Sequence, residues 1–331
     1  MAGLTLGVPF FEDERELDRS LWRVLISVPS GLVAALVAAA LSFFVVFLFL
    51  LVPPFTGLTE HLFQPNGFHN LMSRLNNPDT IGSDLLASIA LLMMIAVINL
   101  AGAVAFVAVA CALHHRAMRS YLTSAPRFRW RLLFMGTLLY AAFVWPYLAR
   151  ESWPDILAGH SPMVEIAPTL ARRLMYVSAC VLLFGMAALA EEMVFRGWFL
   201  RHSFALMRLQ WLSVILSALL FSLAHGENNI DALVARTVMG LGFAYMTLRM
   251  GGIEFAVGAH MAHNLLISLL LRPMSLAPTP ADDPAPNGVP EILVLAVAYV
   301  VMTELVMRWR PLRRMAGLGP AAEQSSPDAL A

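Results

Sequence analysis

The sequence contains no lysine; all 22 basic residues are arginine. Charge of either sign is scarce, at 13% of residues, and acidic and basic side chains balance to a net +0 at pH 7. A soluble domain carries about 25% charged residues, so an ordinary water-soluble enzyme is excluded. The balanced charge leaves no electrostatic footprint for nucleic acid. There are two cysteines, Cys111 and Cys180, both in apolar runs, which excludes a disulfide framework and a CxxC metal site. The HExxH helix of standard zinc proteases is missing. So is any internal repeat of the kind that builds inverted-repeat transporters. What the chain has instead is apolar surface: 59% hydrophobic residues and a mean hydropathy of +0.71. Disordered chains have the opposite bias.

A membrane-crossing helix needs about 20 mostly apolar residues. About eight segments qualify, over 24–52, 84–113, 131–149, 173–195, 210–225, 232–249, 253–271 and 290–308. The expected fold is therefore all-α, a polytopic membrane protein. Arginine placement sets the orientation. Arg15, Arg19 and Arg23 precede the first span, and Arg116, Arg119, Arg127, Arg129 and Arg131 follow the second. Arg308, Arg310, Arg313 and Arg314 follow the eighth. With eight spans these all fall on one side, the cytoplasm, and both termini with them. Arg172 and Arg173 are expected to snorkel at the outer end of span four. His114, His115 and His202 are expected in water, and Arg249 and Glu254 as an interfacial pair across the Gly251-Gly252 turn. The connection Pro53 to Asp84 is expected on the membrane surface, and Glu227, Asn228, Asn229 and Asp231 as a polar outer loop.

Ionisable groups inside spans are costly and mark function. They concentrate in the second half of the chain. Span four ends in Glu191-Glu192-Met-Val-Phe-Arg196, span five in Phe221-Ser-Leu-Ala-His225, and span seven carries His260-Met-Ala-His263-Asn264. Glu192 and Arg196 are four apart, share a helical face and can pair. Glu191 points about 100° away and is the freer carboxylate. Phe221 and His225 share a face, as do His260 and Asn264; His263 is off that face and reads as a neighbour. Such a set has two chemical uses. Glu191 can act as a general base on water, with His225 sharing that water and His260 and Asn264 donating to an oxyanion. Alternatively Glu191, His225 and His260 can hold a divalent zinc ion that activates the water. No cofactor is required by the first use. Span counting places Glu191 toward the inner end of span four and His225 toward the outer end of span five, so one helix must depart from a regular full-length span.

The three motifs together resemble the CAAX-protease and bacteriocin-processing family of intramembrane endopeptidases, which includes the type II CAAX prenyl endopeptidases. The family pattern EExxxR, FxxxH and HxxxN reads here as Glu191-Glu192-Arg196, Phe221-His225 and His260-Asn264, intact and in order. The resemblance implies hydrolysis of a peptide bond in a membrane-associated protein or peptide. Glu191 and His225 would activate water, His260 and Asn264 would form the oxyanion site, and Glu192 and Arg196 would support it. It also implies a catalytic cavity between spans four to seven. The implied organisation is a cytoplasmic segment 1–23, membrane helices over 24–165, a catalytic core over 166–272, a periplasmic loop and last span over 273–316, and a disordered tail over 317–331. The expected setting is the inner (plasma) membrane. The rival classes are a metal- or proton-binding transporter and a non-catalytic immunity or scaffold protein.

Overall fold

The computed structural model describes residues 9–12, 15–226, 229–274 and 289–318. Glu227, Asn228, most of the predicted periplasmic loop with Asp282 and Asp283, and nearly all of the predicted tail lie outside the described residues.

A helix stands in each of the eight predicted apolar segments. We number them α1 (Leu21–Leu50), α2 (Leu85–His114), α3 (Trp130–Phe143), α4 (Leu170–Glu192), α5 (Gln210–Leu223), α6 (Ile230–Met250), α7 (Glu254–Leu270) and α8 (Val289–Arg308). No strand occurs among the described residues. By length and composition, four helical stretches can cross a membrane: Leu21–Leu50, Leu85–His114, Trp130–Leu148 and the continuous Leu170–Met207. α5 is apolar but only 14 residues long.

Local sequence sets several boundaries. Asp84 caps α2 by accepting from the Leu86 N–H at 2.9 Å, and Asn229 caps α6 by accepting from the Ala232 N–H at 3.1 Å. Arg173, expected to snorkel, instead donates to the carbonyls of Ala167 and Pro168 at 3.0 and 3.1 Å, tying the chain before α4 to its first turn.

α1 is turned almost wholly outward: only 6% of its apolar window is buried. Leu32, Leu36 and Leu41 would be exposed to water in a soluble protein; hydrocarbon is the solvent that such a helix requires. Its inner face meets α2, where a Cβ on Gly31 would come within 2.7 Å of the Phe106 ring. α3 and α7 approach more closely still. A Cβ on Gly136 would collide with the Phe255 carbonyl, and one on Gly258 with the Leu133 carbonyl. The Thr137 hydroxyl, also on α3, donates to the Gly258 carbonyl at 3.1 Å. Small residues with a cross-helix hydroxyl are how helices associate where water does not drive them together.

Two expectations are corrected. Arg249 and Glu254 do not pair with one another. Glu254 is fully buried and takes a bidentate pair from Arg129 (2.9 and 2.8 Å), while Arg249 pairs with Glu304 on α8 (2.6 and 3.1 Å). A desolvated carboxylate takes the cation that can reach both its oxygens, and here that cation lies on another part of the chain. His114 and His202 are not solvated; both are buried, because the turn Glu16–Arg19 folds back over the end of α2. The Pro53–Asp84 connection is largely helical. It forms short helices at Thr56–Thr59, Gly67–Asn76 and Pro78–Ser83, and Leu71, Leu75 and Ile81 are buried in the main apolar cluster.

Candidate active site

α4 is regular up to Glu192 and then continues as a π-helical stretch, Met193–Phe199, before the α-helix Leu200–Met207. Wide turns of this kind recur at functional sites. The widened stretch lets Gly197 lie against the Tyr121 carbonyl, where a Cβ would collide.

Glu192 is 0% exposed. Its Oε1 accepts from Arg196 Nη1 at 3.0 Å and lies 3.0 Å from His260 Nδ1. Arg196 is buried as completely; its Nη2 donates to the Gly240 carbonyl of α6 at 3.2 Å, and its guanidinium lies 4.3 Å from the centre of the Phe221 ring on α5. One arginine thus joins α4, α5 and α6, and through Glu192 it joins α7. A buried charge is tolerable only when it is paired and hydrogen-bonded; the aromatic face adds a cation–π contact.

Glu191 projects from another face and keeps 23% of its side chain exposed. Its Oε2 lies 3.8 Å from His225 Nε2 and 3.7 Å from His260 Nε2, too long for hydrogen bonds, and has no hydrogen-bond partner. His225 Nδ1 donates to the Phe221 carbonyl at 2.8 Å. That bond fixes the tautomer, because a carbonyl only accepts, and leaves Nε2 as a lone pair facing Glu191. The depth conflict between Glu191 and His225 is resolved by α5: it stops at Leu223, and His225 sits in the turn beyond it. Gly226 then adopts the left-handed conformation (φ 65°) that turns the chain away.

Glu191, His225, His260, His263 and Asn264 line one cavity of about 880 Å³. Asn264 is one turn beyond His260 on α7. His263 is held through Nδ1 by the Tyr140 hydroxyl at 2.6 Å. The cavity is not confined to the helices of spans four to seven. α1 and α2 supply much of its wall, among them Leu32, Leu36, Asn99 and Phe106. Arg236 of α6 lines it as well. Sequence reasoning passed over Arg236, although a cation within a predicted span is itself the signal.

For the zinc alternative, Glu191 Oε2 lies 3.8 Å from His225 Nε2 and 3.7 Å from His260 Nε2. Among the described residues, the trio whose ligand atoms lie within 4.8 Å of one another is a different one, Asp18, His114 and His202. The chemistry proposed below is written for these side chains alone.

The arrangement defines a helical membrane protein in which a carboxylate with one unpartnered oxygen, three imidazoles and a carboxamide line one cavity. Residues 173–266 match the family described as type II CAAX prenyl endopeptidase Rce1-like. This is the family that the three motifs resemble, and the match spans all seven motif residues while leaving α1, α2, α3 and α8 outside. The likeness is confined to this segment, less than half of the chain. No curated protein and no solved structure matches the chain.

Proposed function

We propose that the protein is an intramembrane endopeptidase that hydrolyses a peptide bond in a membrane-associated protein or peptide with Glu191 as general base. The observation that carries this reading is the unpartnered Glu191 Oε2 between the Nε2 atoms of His225 and His260 (3.8 and 3.7 Å) at the wall of a cavity large enough for a peptide segment.

Water bound beside Glu191 donates one hydrogen to the carboxylate and one to the bare Nε2 of His225. Glu191 takes the proton as the water oxygen attacks the carbonyl carbon, and the C=O bond pair moves to oxygen. The Asn264 amide donates to that oxyanion. His260, held through Nδ1 by the Glu192 carboxylate, stands with Asn264 on the oxyanion side. Collapse of the tetrahedral intermediate breaks the C–N bond, and Glu191 returns its proton to the leaving amine. Glu192 and Arg196 touch neither water nor substrate; they position His260.

In this reading all eight helices α1–α8 belong to the membrane domain, with residues 166–272 as its catalytic core. Both termini face the cytoplasm of the plasma membrane, as the arginine-rich connections favour. The substrate's own chemistry selects among prenylated, sorting-signal and bacteriocin-type peptides.

The test compares peptide termini in the cell envelope of a deletion strain complemented with wild type or with Glu191→Gln at equal expression. New termini that require Glu191 are the expected result. Identical termini in the two strains would overturn the proposal.

A further inference from the structure

Asp18, His114 and His202 come from three distant parts of the chain: the turn Glu16–Arg19 ahead of α1, the last residue of α2, and the helix Leu200–Met207. All three are buried, and one ligating atom from each lies within 4.8 Å of the other two. None of them lines the cavity that holds Glu191.

Each side chain is anchored on one atom and bare on another. Asp18 Oδ2 accepts from Arg116 Nη1 at 2.7 Å and from the Arg15 N–H at 2.9 Å, while Oδ1 has no hydrogen-bond partner. His114 Nδ1 lies 3.2 Å from the Leu17 carbonyl. Its proton is therefore on Nδ1, and Nε2 is an unpartnered lone pair. His202 Nε2 is 3.1 Å from the Tyr121 hydroxyl, and Nδ1 makes no hydrogen bond of good geometry, although the Asp18 backbone faces the ring. Buried polar atoms left without partners are rare, and each calls for an explanation. Here three of them belong to one cluster of two imidazoles and a carboxylate. Imidazoles whose other nitrogen is tied to a carbonyl or hydroxyl are the arrangement that orients ligands onto a metal.

We propose that Asp18, His114 and His202 bind a structural divalent transition-metal ion. Two nitrogens and one oxygen suit zinc in tetrahedral coordination. A water molecule would fill the fourth position. The site is closed, so the ion holds structure and performs no chemistry. It fastens the segment ahead of α1 to the end of α2 and to the helix that continues from Glu191, Glu192 and Arg196.

The experiment uses the full chain in detergent, stripped by a chelator, titrated with zinc by calorimetry and melted with and without the ion. The expected result is one zinc per chain and a higher melting temperature for the loaded protein. Tyr121→Phe should weaken zinc by about 10–100-fold, the usual effect of losing the group that orients a ligating histidine. Asp18→Asn with His202→Gln should abolish binding, while Glu191→Gln should keep it. Two results would overturn the proposal. One is a stripped wild-type protein that takes up no zinc and melts unchanged. The other is an ion retained by Asp18→Asn/His202→Gln and lost in Glu191→Gln. The wild-type titration decides the matter even where the double variant does not fold.

Discussion

His260 touches Glu192 with one ring nitrogen and faces Glu191 with the other: Nδ1 is 3.0 Å from Glu192 Oε1, and Nε2 is 3.7 Å from Glu191 Oε2. Two neighbouring glutamates are thereby given different work by one imidazole. Glu192 is held in the interior by Arg196 and His260, whereas Glu191 keeps an oxygen without a partner at the cavity wall.

Glu191→Gln should remove proteolysis while leaving the fold intact. The amide is isosteric and cannot take a proton from water. The loss of a positioned general base is worth on the order of 10²–10⁴-fold. Cleavage rates and melting in detergent measure the two halves. A variant that cleaves normally contradicts the base assignment.

Arg196→Ala should destabilise the protein by about 3–5 kcal/mol, because it strands Glu192 in the interior without its cation. Thermal unfolding in detergent reads this directly. A melting temperature equal to that of wild type would show that Glu192 is neutral or solvated instead.

Glu192→Gln and His260→Gln should be strongly non-additive in cleavage rate. Both remove the same hydrogen-bonded unit, and coupling of about 0.5–3 kcal/mol is usual between residues in contact. Independent effects in the double variant would mean that Glu192 does not act through His260.

Gly258→Ala should cost about 1–3 kcal/mol by overpacking α3 against α7. It should also lower cleavage, since His260 lies two residues further along the same helix. Gly57→Ala is the control, as a Cβ there meets nothing within 4 Å. Equal melting temperatures for the two variants would argue against the close helix contact.

The helices were legible in the sequence because long apolar runs and their spacing are local properties. The Glu192–Arg196 contact was legible for the same reason, being a matter of four residues on one helix. What the sequence hid was partnership over distance. Glu254 has Arg249 nearby in the chain, yet it pairs with Arg129. His114 and His202 sit beside arginines, as solvated residues do, and only the fold reveals the Asp18 turn that covers them. The part that α1 and α2 play in the cavity was equally hidden, because their lining residues, Asn99 apart, are apolar or glycine and look like any lipid-facing surface. Arg236 is different; its charge was in plain view within span six.

The π stretch Met193–Phe199 sits between two fixed points on one continuous helical path, the glutamates at its start and His202 beyond its end. Each residue added to or taken from a helix turns everything after it by about 100°. With Glu192 held by His260 of α7, one insertion or deletion here would swing His202 away from Asp18 and His114. Substitutions along this stretch can be absorbed one side chain at a time, but its length cannot vary, and related chains should align through it without a gap.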